Sequence, residues 1–181
     1  MSMRDTKAGA EIRKVAIVGP ECTGKSTLAE ALAAHYETVW VPEYARGYLD
    51  NLVRPYHEED LLSISKGQVR LERSWLPSAN RVLFCDTDLL VLKVWSDIKF
   101  GHTDPEILGE MKLASYDLHL LTYIDVPWVD DPLREHPDKR ELLFDIYQKE
   151  LKAAGVPFVE IRGDAQARLM SAVAAVDALL A

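Results

Sequence analysis

One eight-residue segment near the N-terminus constrains the fold more than any other feature of the sequence. Residues 19–26 read Gly-Pro-Glu-Cys-Thr-Gly-Lys-Ser and match the pattern G-x-x-x-x-G-K-[ST] without a gap. The apolar run at residues 14–19 is typical of a strand buried on both faces of a parallel sheet, and residues 25–36 carry apolar side chains at helical spacing. A glycine-rich turn between such a strand and such a helix predicts a phosphate-binding loop.

The residue types in this loop indicate its chemistry. Glycines let successive backbone N–H groups turn toward one anion, and the N-terminus of the next helix adds partial positive charge. We expect Lys25 to reach the outer phosphates of a nucleotide and the Ser26 hydroxyl to ligate Mg²⁺. An ordinary turn with an exposed lysine is the alternative, and it explains the full match poorly. The other expected nucleotide-binding residues of the loop are Gly19, Glu21, Cys22, Thr23, Gly24 and Thr27.

Strand-like and helix-like segments alternate along the chain, which predicts one α/β domain with a parallel sheet covered on both faces. Residues 1–13 show no apolar period, so we predict a solvated tail before a domain that spans residues 14–181. Further strands are predicted at residues 38–42, 81–85, 118–124 and 157–161. Further helices are predicted at residues 43–79 with a break near 54 and 55, and at 88–99, 105–114, 135–154 and 165–180.

Composition argues against several kinds of partner and location. Lysine and arginine number 21 against 29 aspartates and glutamates, a net charge of −8, which disfavours an extended nucleic-acid partner. No apolar run approaches the ~20 residues of a membrane span, and the charged start of the chain lacks the apolar core of a signal peptide. Two cysteines cannot form a disulfide framework, so we expect a cytoplasmic protein. A homo-oligomer is compatible with the sequence.

A second candidate ligand lies at the end of the third predicted strand. Residues 82–86 are four apolar residues closed by Asp86, which is typical of a Walker-B strand. Because open parallel sheets bind ligands at the carboxyl ends of their strands, we expect Asp86 to hold Mg²⁺ through water or to contact substrate. Asp86 and Asp88 are also candidate N-caps of the next helix, and for Asp88 the cap is the favoured interpretation.

Several blocks of sequence, in chain order, resemble the nicotinamide riboside kinase (ribosylnicotinamide kinase) domain of bacterial NAD-salvage proteins. Besides the phosphate loop, the blocks are residues 41–49, 56–60, 67–68, 86–88 and 126–134. The resemblance implies a three-layer P-loop kinase fold with five parallel strands in the order 2-3-1-4-5, helices on both faces and a lid. It also implies a cytosolic enzyme that uses ATP and Mg²⁺ to phosphorylate the 5′-hydroxyl of nicotinamide riboside, giving nicotinamide mononucleotide.

The resemblance further implies roles for residues after the second strand. Glu43 is the expected carboxylate that orients or deprotonates the sugar hydroxyl, with Asp86 as the rival base. An acidic residue in a first helical turn is also favourable by itself, which is the alternative for Glu43. Arg46 would pair with Glu43 or meet phosphate, although a plain surface ion pair explains it equally well. Gln68 would read the base through its amide, or it would face solvent.

Two later segments also receive roles. Arg134 and Arg140 are expected to reach the transferring phosphoryl group from a closing lid, although a salt-bridged surface loop has the same composition. The backbone of Gly163 would contact adenine, in a turn where Asp164 caps the last helix. The aromatic residues could stack on a pyridinium ring, but each taken singly is more often part of a core. The remaining expected substrate-binding residues are Tyr44, Tyr56, Asp88, Trp95 and Trp128.

Two alternatives stay open at this point. One is a kinase of the same fold that acts on another nucleoside or small alcohol. The other is a P-loop binding module that hydrolyses ATP without an acceptor. Glu43 together with an arginine-bearing segment favours a kinase, because a switch needs no acceptor pocket.

Overall fold

The computed structural model describes residues 11–132 and 137–181. At its centre is a five-stranded parallel sheet in the order β2-β3-β1-β4-β5, which confirms the predicted fold. The strands are β1 (Arg13–Val18), β2 (Trp40–Val41), β3 (Val82–Asp86), β4 (Leu118–Thr122) and β5 (Phe158–Ile161). The helices are α1 (Lys25–His35), α2 (Tyr44–Asp50), α3 (Glu58–Trp75), α4 (Leu89–Phe100), α5 (Pro105–Leu113), α6 (Arg140–Ala154) and α7 (Ala165–Leu180), with short 3-10 helices at Leu76–Ser78 and Pro137–Lys139.

Helices cover both faces of the sheet because its central strand is apolar at successive positions. In β1, Val15 and Ile17 belong to a cluster with α1 and α7, whereas Ala16 and Val18 belong to a cluster with α4 and α6. All four side chains are fully buried. Because successive residues of a strand point to opposite faces, this pattern requires a helical layer on each side.

The helices α2, α3 and α5 form an additional cluster beside the sheet. Leu61 and Ile64 of α3 and Ile107 of α5 are buried there against Leu89 and Leu92 of α4. This cluster places α2 beyond the end of β2. In residues 11–132 and 137–181, no helix combines the length and the apolar character needed to cross a bilayer.

Element boundaries differ from the sequence predictions where local contacts decide them. The predicted helix at residues 43–79 is two helices, and α3 begins after His57, whose backbone N–H donates to Asp60 Oδ2 at 2.7 Å. The second strand shrinks to the two residues that pair with β3 at the sheet edge. β1 starts at Arg13, which we had assigned to the tail, and β3 extends to Asp86. Of the predicted helix at 135–154, residues 135 and 136 lie outside the described residues, residues 137–139 form a 3-10 helix, and α6 begins at Arg140.

The carboxyl edge of the sheet gathers the candidate residues. The phosphate loop follows β1, Glu43 follows β2, and Asp86 closes β3, which lies between those two strands. Gly19, directly after β1, lies very close to β4. A Cβ atom on Gly19 would be 2.6 Å from Thr122 Oγ1 and 2.7 Å from the Thr122 carbonyl oxygen. Glycine is therefore required where the loop leaves the sheet.

Candidate active site

The phosphate loop forms one wall of a cavity of about 300 Å³. All eight loop residues that we expected to bind nucleotide line this cavity. Residues from the junction of β2 and α2, from α2 and α4, and from the segment after β4 complete the lining. The lining consists of Gly19, Glu21, Cys22, Thr23, Gly24, Lys25, Ser26, Thr27, Glu43, Arg46, Leu49, Val91, Trp95 and Asp131.

Hydrogen bonds within the loop hold its shape. The Lys25 ammonium donates to the carbonyl oxygens of Gly19 at 3.1 Å and Pro20 at 2.9 Å. The buried Thr23 hydroxyl donates to the Pro20 carbonyl at 2.8 Å and lies 2.7 Å from Thr122 Oγ1. The lysine charge is thereby held at the loop, where a phosphate group would become its natural partner.

Asp86 is hydrogen-bonded to Ser26, the residue after Lys25 in the phosphate loop. Ser26 Oγ donates to Asp86 Oδ2 at 2.5 Å. The side chain of Asp86 is buried, and its other oxygen, Oδ1, has no hydrogen-bond partner within the described ranges 11–132 and 137–181. Burial raises the pKa of Asp86, while Lys25 and the Ser26 hydroxyl lower it. An orphaned carboxylate oxygen beside a hydroxyl fits Mg²⁺, which prefers oxygen ligands and keeps several waters.

Glu43 lies in the cavity lining, at the junction of β2 and α2. It occupies the N-cap position of α2, yet its carboxylate makes no capping hydrogen bond and lines the cavity instead. Burial raises the pKa of Glu43, Lys25 partly offsets that effect, and the negative charge of Asp86 adds to it. Glu43, in the cavity lining, and Asp86, buried beside Ser26, are thus two electrostatically coupled carboxyl groups with raised pKa values, a combination typical of functional sites.

Arg46 supplies a positive charge to the same cavity. Its guanidinium donates to Asp131 Oδ2 at 3.0 Å, so its ion pair is with the segment after β4. Burial lowers the pKa of Arg46, but Asp131 and a longer-range attraction from Glu43 outweigh that effect, so the pKa is raised. The pair with Asp131 is the surface ion pair that the sequence left open, at the cavity wall, and contact with phosphate stays a prediction.

The two predicted lid arginines differ in what the structure describes. Arg134 is outside the described residues. Arg140 is the first residue of α6, and its Nη2 donates to the carbonyl oxygens of Cys22 at 3.0 Å and Val126 at 2.9 Å. Its guanidinium also lies 5.9 Å from the centre of the Trp128 ring. Arg140 is thus held against the backbone of the phosphate loop and is not part of the cavity lining, and its role at the transferring phosphoryl group stays a prediction.

A second cavity, of about 400 Å³, adjoins the phosphate loop at Gly24 and Thr27. Gly163 lies in its wall, as we expected, and its N–H donates to Asp125 Oδ2 at 2.5 Å. Asp164 caps α7 by accepting the N–H of Ala167 at 2.9 Å, which confirms the cap, and the contact of Gly163 with adenine stays a prediction. Most of the lining is apolar, which suits a flat nucleotide base. The apolar part is Leu28, Ala31, Val126, Pro127, Ala165 and Leu169.

Sequence reasoning missed Arg168, which connects the two cavities. Its Nη1 donates to the Thr23 carbonyl at 2.7 Å, its Nε to the Gly163 carbonyl at 2.8 Å, and its Nη2 to the Tyr123 carbonyl at 2.7 Å. The same Nη2 contacts Asp125. One buried guanidinium thus joins the phosphate loop, β4 and the turn before α7. The signal was available, because Arg168 lies four residues before Ala172 on the apolar face of α7.

Of the other expected substrate-binding residues, only Trp95 lines the phosphate-loop cavity. Asp88 is corrected, because its Oδ1 caps α4 by accepting the Leu90 N–H at 2.9 Å and its Oδ2 lies 3.0 Å from Nε2 of His119. The favoured interpretation of Asp88 as an N-cap is confirmed. Tyr56 is corrected as well, since the Lys99 ammonium covers its ring at 3.5 Å from the ring centre.

Gln68, Tyr44 and Trp128 are also placed outside the cavity lining. Gln68 is buried and does not face solvent. Its Oε1 accepts the Tyr44 N–H and its Nε2 donates to Glu72, so both ends of its amide are engaged within the protein. The Tyr44 ring packs against α3. The Trp128 indole donates to Asp130 Oδ1 at 2.8 Å. Periodicity gave no orientation for these side chains, and tertiary contacts decide it.

Comparison with known proteins shows which family the chain belongs to. The family model described as "AAA domain" matches residues 14–168. The "Trifunctional NAD biosynthesis/regulator protein NadR" of Salmonella typhimurium is 28% identical over 159 residues, covering 83% of this chain and 38% of that protein. The NadR protein of Escherichia coli is 32% identical over 129 residues, covering 68% of this chain and 31% of that protein. The chain therefore spans about a third of these relatives.

Solved structures share the fold. A crystal structure of NadR protein in complex with NR has a TM-score of 0.75 at 21% identity, covering 92% of this chain and 51% of that chain. A deoxyadenosine kinase from M. mycoides has a TM-score of 0.63 at 13% identity, covering 91% of this chain and 99% of that chain. Since the family match includes the phosphate loop, all five strands and Arg168, the chain belongs to the AAA domain family of P-loop proteins.

Proposed function

We propose that this chain is a kinase that uses ATP and Mg²⁺ to phosphorylate the 5′-hydroxyl of nicotinamide riboside, giving nicotinamide mononucleotide. The observation that carries the proposal is the position of Glu43. Its carboxylate does not cap α2 and instead shares one cavity with Lys25 of the phosphate loop. A module that only binds or hydrolyses nucleotide needs no such acceptor carboxylate.

The nucleotide half of the reaction rests on the loop and the neighbouring apolar cavity. The base of ATP would lie beside Gly163, and its phosphates would lie on the loop, where backbone N–H groups and Lys25 stabilise negative charge. Asp86 and Ser26 would hold Mg²⁺, which, when bound, neutralises charge on the phosphates during transfer. Arg46 would add a second cation in the cavity lining.

The acceptor half of the reaction rests on Glu43. The acceptor hydroxyl oxygen forms the new bond to the γ-phosphorus while the bond between that phosphorus and the β–γ bridging oxygen breaks, and Glu43 takes the hydroxyl proton. A raised pKa brings the carboxyl group closer to the working pH, which suits proton transfer. ADP leaves with the electron pair of the broken bond, and no other reactant is needed.

Nicotinamide riboside is the acceptor that the family resemblance favours. The relatives are named for NAD biosynthesis, and the NadR protein of similar fold is in complex with NR. In this chain, Trp95 offers an aromatic face in the cavity, and a positively charged pyridinium ring is attracted to such a face. The proposal concerns this one activity and none of the other functions of the longer relatives.

ATP consumption across a panel of nucleosides tests the proposal. The panel contains nicotinamide riboside, adenosine, deoxyadenosine, uridine and a no-acceptor control, each with and without Mg²⁺. We expect turnover with nicotinamide riboside alone and a product whose 5′-phosphate is seen by phosphorus NMR. Turnover with another nucleoside would reassign the acceptor, and hydrolysis at the same rate without any acceptor would replace the kinase by an ATPase.

A further inference from the structure

The first backbone N–H of α2 is hydrogen-bonded to a side chain of another helix, α3. Tyr44 is the first residue of α2, and its backbone N–H has no acceptor within its own helix. Gln68 Oε1, on α3, accepts that N–H at 2.9 Å. Glu43, the residue at the N-cap position itself, makes no such bond. A side chain of α3 thus holds the peptide N–H between Glu43 and the first residue of α2.

The Gln68 amide is itself held in one orientation. Its Nε2 donates to Glu72 Oε1 at 3.2 Å, which leaves Oε1 facing Tyr44. Glu72 is fixed in turn, because it accepts the Tyr116 hydroxyl at 2.8 Å and its Oε2 pairs with the Lys14 ammonium at 2.7 Å. Gln68 and Glu72 are 1% and 3% exposed. A buried network anchored in β1 therefore reaches the start of α2.

Close packing at the preceding residue supports the same contact. A Cβ atom on Gly67 would lie 2.1 Å from the Tyr44 ring, a separation that no side chain could accept. The absence of a side chain at position 67 thus lets the first residue of α2 rest directly on α3. Gly67 sets the approach of the two helices, and Gln68 completes the hydrogen bond between them.

We propose that Gln68 is a positioning residue for Glu43: by accepting the N–H of the peptide that joins Glu43 to Tyr44, it fixes the backbone from which the Glu43 carboxylate enters the cavity. This inference rests on the proposed function, in which Glu43 receives the hydroxyl proton. Without Gln68, the Tyr44 N–H would lose its acceptor inside the fold. The start of α2 would then shift toward water to satisfy that N–H, and the Glu43 carboxylate would move with it.

This account predicts a change in protonation as well as in rate. The charged groups around Glu43 are Lys25 on α1, Asp86 on β3, Arg46 on α2 and Glu21 in the phosphate loop. None of them changes when Gln68 is replaced. A Glu43 carboxylate that leaves its buried position loses part of the burial that raises its pKa, so its pKa should fall. The acid limb of the kcat profile should then move to lower pH.

The test compares Gln68→Met with Gln148→Met in the full chain. Gln148, on α6 and outside the cavity lining, is a matched control. Its Nε2 also donates to a glutamate, Glu160 on β5, at 2.5 Å. For Gln68→Met we expect kcat to fall about 10- to 100-fold, since small displacements of catalytic groups have effects of that size. We expect the KM for ATP to stay unchanged and the acid limb to move down by about one pH unit. Gln148→Met should keep the wild-type kcat and pH profile.

A double variant that exchanges the two side chains, Gln68→Glu with Glu72→Gln, provides the rescue. A carboxylate at 68 still accepts the Tyr44 N–H, and an amide at 72 can donate to that carboxylate, so kcat should return toward wild type. Should Gln68→Met fail to fold, this exchange carries the test alone. A folded exchange variant as slow as Glu43→Gln, or a Gln68→Met enzyme with wild-type kcat and pH profile, would overturn the inference. If instead Glu43→Gln is fully active, the proposed function fails rather than the role of Gln68.

Discussion

Two groups of buried or half-buried carboxylates in this molecule have opposite environments. Asp60, near the start of α3, accepts the Arg54 guanidinium at 2.7 and 3.0 Å, the Tyr48 hydroxyl at 2.8 Å and the His57 N–H at 2.7 Å. The Arg54 bonds foremost, with the other two donors, hold the pKa of Asp60 well below its usual range. Glu43, in the phosphate-loop cavity, and Asp86, bonded to Ser26 of the loop, have raised pKa values because the effect of burial outweighs that of their partners.

The contrast distinguishes Asp60, which stabilises the fold, from Glu43 and Asp86, which are available to a ligand. Each carboxylate oxygen of Asp60 already accepts two hydrogen bonds, so neither oxygen is available to a ligand. Asp86 keeps a buried oxygen without a partner in the described parts of the chain, and Glu43 leaves its own helix uncapped. Such arrangements lower stability and persist where a ligand completes them. Variants in the cavity should therefore change turnover, and variants at Asp60 should change stability.

Lys25→Ala should have the largest effect on turnover. It removes a charge that stabilises the transferring phosphoryl group, and groups of this kind contribute at least about 10³-fold in kcat. The free energy of unfolding should change little, because the lysine bonds only two loop carbonyls at the cavity. Steady-state kinetics with urea unfolding as the control checks this. Wild-type kcat in Lys25→Ala would refute the assignment of the phosphate loop.

Glu43→Gln should come next, with a loss of ~10²–10⁴ in kcat and intact ATP binding, since the amide keeps the shape but cannot take a proton. In the wild type, the acid limb of kcat should lie above the usual range of a glutamate, because the pKa of Glu43 is raised. That limb should be absent from the residual activity of Glu43→Gln. A pH series on both enzymes decides it.

Asp86→Asn should weaken the response to Mg²⁺ rather than abolish turnover. The amide is a poorer ligand than the carboxylate, and a weakened site can be filled at higher metal concentration by mass action. We expect activity to recover across a Mg²⁺ titration that already saturates the wild type. An Asp86→Asn enzyme inactive at every Mg²⁺ concentration, beside an active Glu43→Gln enzyme, would make Asp86 the base.

Asp60→Asn should reduce stability by about 1–3 kcal/mol, because three charge-assisted donors lose a carboxylate partner. The folded-state pKa of Asp60 is lowered, so its contribution is complete above the usual aspartate range and is lost as the pH falls below it. The difference between the wild type and Asp60→Asn should therefore shrink in acid. Denaturant unfolding at neutral and acid pH measures it, and kcat at neutral pH should stay at the wild-type value.

The sequence predicted the parts of the site that are local in the chain. The phosphate loop, the end of β3 and the cap of α7 are set by neighbouring residues, so motif and cap preferences locate them. The sequence could not orient residues whose contacts depend on packing between distant elements: Gln68 is buried against the start of α2, and Arg140 bonds the backbone of the phosphate loop. Arg168 was missed because its partners, Thr23 and Gly163, are brought together only by the sheet.

The central claim is that Glu43 serves transfer to a sugar hydroxyl while Asp60 serves the fold. Measuring kcat with nicotinamide riboside and the free energy of unfolding for Glu43→Gln and Asp60→Asn, side by side, tests it most directly. We predict that Glu43→Gln loses turnover and keeps or gains stability at neutral pH, because a charge disfavoured by burial is removed. Asp60→Asn should lose stability and keep turnover. Parallel losses of turnover and stability in both variants would contradict the account.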